Sequence, residues 1–140
     1  MFDALTQLNW LAVALATLAY YLLGALWFTP LFGKTWDRSI GYDRAPGSRF
    51  GVAYYIVPLV SALLVSLAIA ILLAALAPVG IGESLFVGVV VGLGVAAAVS
   101  MNNGLTPHTP NPFLFGAVTG SYHLVGIVIV SAIIGAFVAT

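Results

Sequence analysis

Four long apolar runs follow one another along the chain, separated by shorter stretches that hold most of its polar residues. The runs cover about residues 8–32, 52–76, 85–101 and 113–138. A helix needs about 20 predominantly apolar residues to cross the hydrocarbon core of a bilayer. We therefore predict an all-α fold, an integral membrane four-helix bundle that forms a single transmembrane domain over residues 1–140.

Turn-forming residues separate the runs. Pro30 and Gly33 are expected to end the first helix, because proline has no amide hydrogen for the helical hydrogen bond. A polar loop is then expected at residues 33–51, with its turn at Pro46. A second turn region, rich in asparagine and proline, follows the third run at residues 102–112.

Every basic residue of the chain lies in the first loop, at Lys34, Arg38, Arg44 and Arg49. Loops on the cytoplasmic side of a membrane collect lysine and arginine, so this loop is expected to be cytoplasmic. With four spans, both termini are then extracytoplasmic. These cations also lie where anionic lipid headgroups are, which makes the bilayer and its anionic headgroups the expected partners.

Composition excludes several classes of protein. The chain is 62% hydrophobic and 6% charged, whereas soluble domains have about 25% charged residues. It has zero formal net charge and no basic surface outside the first loop, so we expect no nucleic-acid partner. We predict a multi-pass protein of the bacterial cytoplasmic (inner) membrane.

Small residues recur at four-residue spacing in two of the runs, at Gly88 and Gly92 in the third and at Gly116 and Gly120 in the fourth. Helices in lipid associate through such faces, because small side chains let the backbones approach closely. The favoured interpretation is internal packing of the first, third and fourth spans, with the second outermost. The alternative is that one face mediates assembly between chains.

His123 is the one ionisable side chain well inside a run. It shares a helix face with Gly116 and Gly120, so it should point at a neighbouring helix. As a functional residue it would contact a ligand or line a pore with Tyr20 and Tyr122. The simpler interpretation, which we favour, is an imidazole that hydrogen-bonds Tyr20, Thr17 or a backbone carbonyl and links two helices.

A polar group follows the third run, formed by Asn102, Asn103 and His108. It could form a vestibule or ligand site, but helix capping and turn formation explain these residues as well. Two histidines fifteen residues apart with no carboxylate between them do not indicate a metal site. We therefore expect no metal and no cofactor.

One segment of the chain is distinctive: LGALWFTPLFGKTW, which runs from Leu23 to Trp36. It resembles the signature of a bacterial family of small membrane proteins, catalogued as domain of unknown function 1761. The Asn-Trp-Leu-Ala sequence that begins at Asn9 and the tyrosine at Tyr122 are similar to that family too. The resemblance covers essentially the whole chain and implies four spans, but it implies no activity.

The same segment has a physical interpretation as an interfacial anchor. Tryptophans are enriched at the membrane–water interface, proline and glycine redirect the chain, and lysine reaches out to phosphate. The anchor residues would be Trp27, Pro30, Gly33, Lys34 and Trp36.

The residues favour a non-enzymatic protein that acts by assembly, as a homo-oligomer or as an accessory subunit of a membrane complex. The alternative is a small four-helix transporter or channel that uses the membrane-embedded His123. An enzyme that acts on lipid through His108 or Lys34 is less favoured, because no nucleophile–base pair accompanies either residue.

Overall fold

The computed structural model describes residues 8–45 and 47–138, and this part of the chain contains helices and no strand. Four helical segments are long and apolar enough to cross a membrane, and we number them as spans: Trp10–Leu31, Ala53–Leu76, Ile81–Gly104 and Pro112–Val138. The predicted all-α architecture with four membrane helices is confirmed. The turn predicted at Pro46 lies outside the described residues.

The first span continues through the proline that was expected to end it. Pro30 lies inside a widened, π-helical turn, Trp27–Leu31. Proline cannot donate the usual helical hydrogen bond, and the widened turn accommodates this. The Phe32 amide instead donates to the Trp27 carbonyl, five residues back, at 2.8 Å. The span ends one residue after Pro30, at Leu31, and Gly33 begins the next helix.

Part of the predicted first loop is helical. We call the segment Gly33–Ile40 the connecting helix. It is amphipathic, since Asp37 is buried while Lys34 and Arg38 are exposed. Gly41 ends it in the left-handed conformation, with φ at 67°. That conformation suits glycine and turns the chain back, so a loop was the wrong prediction for residues 33–40.

The third span is longer than predicted at both ends. Glu83 lies in its first turn, where Oε2 accepts a hydrogen bond from the Val79 amide at 2.7 Å. A carboxylate is favourable there, because the start of a helix carries a partial positive charge. At the other end Asn102 and Asn103 are still helical. Their side chains are exposed, so they do not interrupt the hydrogen bonds of the helix backbone.

The fourth span is central and packs against the other three. The second span packs on the first and fourth, whereas the first and third have almost no direct contact. The predicted pairing of the third and fourth spans is present, but the first, third and fourth do not form one unit. The reason is that the first and third spans lie against different faces of the fourth.

Small residues let the antiparallel third and fourth spans approach closely. A side chain added at Gly88 would lie 2.7 Å from Ser131 Oγ, and one at Gly116 would lie 2.8 Å from the Met101 Cα. Gly92 faces Leu124 and Gly120 faces Ala97 in the same way. Both glycine faces are therefore used inside the chain.

Candidate functional site

A tyrosine and a histidine meet near the middle of the bundle. The Tyr20 hydroxyl lies 2.5 Å from His123 Nδ1, joining the first and fourth spans. Each residue is near the centre of its span, so the contact lies close to mid-membrane. When the hydroxyl donates to Nδ1, the neutral imidazole carries its hydrogen on Nε2 and can donate from there. Of the three partners that the sequence offered for His123, the structure has Tyr20.

Glycines make room for the aromatic rings around this pair. Gly126 lies against the Tyr20 ring, where an added Cβ would come within 2.1 Å of Cε2. Gly24 lies against Tyr122, whose hydroxyl would be 2.9 Å from an added Cβ. The rings of Tyr20 and Tyr122 pack together at a centroid distance of 5.2 Å. Both rings are thus held between the first and fourth spans.

A cavity of about 520 Å³ extends from this pair to the cationic end of the bundle. It lies between the first, second and fourth spans, and Tyr20, Tyr122 and His123 line its inner end. Tyr20 and Thr29 both line it, and their separation along the helix corresponds to about 14 Å. Its walls are mostly apolar and aromatic, and its volume is typical of a site for a small molecule.

An arginine lies at the mouth of this cavity. Arg44 lines it together with Trp36, Phe50 and Tyr54. One guanidinium nitrogen of Arg44 contacts Asp37 Oδ1 at 2.8 Å, and the group lies 5.0 Å from the centre of the Phe50 ring. Its Nε is buried and has no hydrogen-bond partner in the described part of the chain. The mouth therefore combines an oriented cation with a free donor.

The predicted anchor residues divide into two groups. Pro30 and Lys34 are exposed, as an interfacial role requires. Trp27 instead packs inward, and its indole nitrogen donates to the Val118 carbonyl at 3.0 Å. Trp36 packs edge-on against Phe28, with ring centroids 5.6 Å apart, and lines the cavity. Gly33 is buried beneath the turn.

The second candidate group lies apart from the cavity. Asn102, Asn103 and His108 are all exposed at the end of the third span and in the turn after it, and none of them lines the cavity. Asn102 accepts the Leu105 amide through its carbonyl, as in helix termination. The described residues contain no cluster of three histidine or acidic side chains that could hold a metal ion.

Sequence reasoning missed two residues of the site. Gly126 lies three positions after His123, and its spacing from Gly120 differs from the four-residue spacing of the other glycines. Arg44 was not distinguished from the other cations, because a loop sequence does not show which of its side chains lies against the helices. The sequence did indicate that Asp37 and Arg44 could form an ion pair, because they carry opposite charges and lie seven residues apart.

Comparison with known proteins gives one match. No curated protein and no solved structure matches the chain. A family model described as "Protein of unknown function (DUF1761)" matches residues 11–135, which include the cavity, the Tyr20–His123 pair and the segment from Trp27 to Trp36. Since the match spans most of the sequence, the chain belongs to the DUF1761 family.

Proposed function

We propose that this protein binds a small, largely apolar molecule inside the membrane, in the cavity that ends at Tyr20 and His123. The observation that carries this proposal is the cavity itself, which is about 520 Å³ in volume and reaches mid-membrane. Its walls are mostly apolar and carry a small number of polar side chains, which is the usual composition of small-molecule sites. The proposed role is non-enzymatic, in the bacterial cytoplasmic membrane.

Transport is the second candidate, and the depth of the cavity favours it. Transporters place their substrate sites near the bilayer midplane, where the Tyr20–His123 pair closes this cavity. Beyond the pair the first and fourth spans are tightly packed around Ala16 and Val130. The cavity therefore ends at this pair and does not continue along the first and fourth spans beyond it. Flux into proteoliposomes that His123→Ala leaves unchanged would remove this mechanism.

A substitution that fills the cavity with a larger side chain tests whether a small molecule binds there. The probe is a dodecanol that carries bromine, a heavy atom that quenches tryptophan fluorescence on contact, added to the protein in phosphatidylcholine nanodiscs. Ala25 lines the cavity, so Ala25→Phe should abolish saturable quenching of Trp36. Ala14 is exposed on the same helix and does not line the cavity, so Ala14→Phe is the matched control. Equal quenching in both variants would contradict the proposal.

Assembly remains a prediction with less support. That prediction rests on the two glycine faces. Both faces contact residues of the same chain, at Gly88, Gly92, Gly116 and Gly120. A homo-oligomer or a complex with other membrane subunits would therefore have to use other surfaces. The mass of the protein in mild detergent, measured by light scattering, together with stoichiometric co-purification of a partner, tests this directly.

The proposed orientation places the cationic end of the bundle in the cytoplasm. The chain has no cysteine, so single cysteines can report on each side. Ser48 and Val79 are both exposed, in the loops at opposite ends of the second span. In intact cells a membrane-impermeant maleimide should label Val79→Cys and spare Ser48→Cys. The reverse pattern would overturn the orientation.

A further inference from the structure

We propose that the molecule bound in the cavity is a single-chain anionic amphiphile, with its acidic group at Arg44 and its chain directed toward Tyr20 and His123. This inference rests on the proposed function, because it names the class of ligand for the same cavity. The acidic group is a carboxylate or phosphate, and it is carried on one apolar chain.

The mouth has an excess of positive charge and an unused donor. Beside the cavity, Lys34, Arg38 and Arg44 face two acidic residues, Asp37 and Asp43, around a shared recess. Three cations against two carboxylates leave one positive charge in excess. The buried Nε of Arg44 lacks an acceptor, and a buried donor without a partner destabilises a protein. An acidic oxygen at this position would satisfy both.

The guanidinium is also held in place before a ligand arrives. Asp37 contacts one of its nitrogens at 2.8 Å, and the Phe50 ring lies 5.0 Å from its central carbon. Phe50 in turn stacks on Tyr54, with ring centroids 4.7 Å apart. A guanidinium presents several donors in a fixed plane, so an acidic group can bind to the part of it that faces the cavity while Asp37 keeps its own contact.

The body of the cavity fits one apolar chain. Most of its wall is aromatic or aliphatic, as at Phe28 and Phe115, and a few hydroxyl side chains such as Thr119 lie among them. The separation of about 14 Å between the lining residues Tyr20 and Thr29 and the volume of about 520 Å³ suit a single extended chain rather than the two chains of a membrane phospholipid. An apolar molecule with no charge would leave the Arg44 donor unsatisfied.

The test compares dodecanoate with dodecanol, two probes that differ at the head and share the chain. Both carry bromine beside the head, so that Trp36 at the mouth reports binding through quenching. Trp36→Phe identifies the component of quenching that belongs to the site. In phosphatidylcholine nanodiscs dodecanoate should bind about 10- to 100-fold more tightly than dodecanol, as a charge-assisted hydrogen bond provides.

Two substitutions should act in opposite directions. Arg44→Gln should weaken dodecanoate binding about 10- to 100-fold and change dodecanol binding less than about twofold. Asp37→Asn should tighten dodecanoate binding, because it removes a competing negative charge while its amide oxygen can still accept a hydrogen bond from the guanidinium. Arg49→Gln removes a cation on the same side that does not line the cavity, so it is the matched control and should have no effect.

A separate measurement tests the direction in which dodecanoate lies in the cavity. A dodecanoate with bromine beside the carboxylate should quench Trp36 more strongly than one with bromine on its terminal carbon. Equal affinity for the acid and the alcohol, or an Arg44→Gln variant that binds dodecanoate normally, would overturn the ligand class and leave the binding function standing. If neither probe binds saturably, the proposed function itself fails. Displacement of dodecanoate by phosphatidylglycerol as readily as by free dodecanoate would assign the site to bilayer phospholipid instead.

Discussion

Replacing Gly126 with alanine tests the contact that joins the first and fourth spans. The added Cβ would lie 2.1 Å from Cε2 of Tyr20 and 2.4 Å from its Cδ2, whereas ordinary contact begins at 3.4 Å. The ring must therefore retreat by about 1.3 Å, and it is 2% exposed in a packed core. That movement also disturbs its hydrogen bond to His123.

The magnitude follows from these two effects. Overpacking a core costs about 1–3 kcal/mol. Losing a hydrogen bond between membrane helices costs about 0.6 kcal/mol and at most about 1.7. Together they predict a loss of about 2–4 kcal/mol in the free energy of unfolding. Gly94→Ala is the matched control, because nothing lies within 4 Å of an added Cβ there.

The assay is reversible unfolding by sodium dodecyl sulfate in mixed micelles, followed by helical circular dichroism. Gly126→Ala should unfold at a clearly lower detergent fraction, and Gly94→Ala should not. Repeating the change in a Tyr20→Ala background should reduce its cost to below about 1 kcal/mol, since the opposing ring is gone. If both alanine variants unfold together with the unchanged protein, the described packing of the first span on the fourth is wrong.

Three further outcomes use the same unfolding assay. Gly88→Ala should cost about 1–3 kcal/mol, because its Cβ would lie 2.7 Å from Ser131 Oγ; a neutral result would place the third span elsewhere. Trp27→Phe should cost about 0.6 kcal/mol and at most about 1.7 through loss of the hydrogen bond to Val118, and an unchanged midpoint would mean that the indole faces lipid. Glu83→Gln should cost about 0.3–1 kcal/mol at the start of the third span, with faster amide exchange in that turn; unchanged exchange would argue against the carboxylate contact.

Features that are determined within a single helix could be predicted from the sequence. Span number follows from apolar length. The sequence also indicated that His123 faces into the bundle, but it indicated the wrong neighbour, because Gly116 and Gly120 pack on the third span whereas His123 contacts Tyr20 of the first. The contact with Tyr20 could be named as one of several options, because tyrosine was a polar partner available at the same depth.

The parts that depend on several helices were not accessible. The cavity forms where three spans and the first loop diverge, and no periodicity within one helix records the gap between neighbours. Arg44 lies over the mouth only because Gly41 turns the chain and Asp37 holds the guanidinium. The connecting helix was missed for a related reason, since its amphipathic pattern spans only about two turns.

The central position of the fourth span has a consequence for biosynthesis. A ribosome delivers the spans in order, and the first and second can pair as soon as both are in the membrane. The third has almost no surface to pack on until the last span arrives, so its glycine face meets lipid during that interval. Completion of the bundle thus waits for the synthesis of the fourth span. A chain released before Pro112 would present an unpaired helix to the quality-control proteases of the membrane.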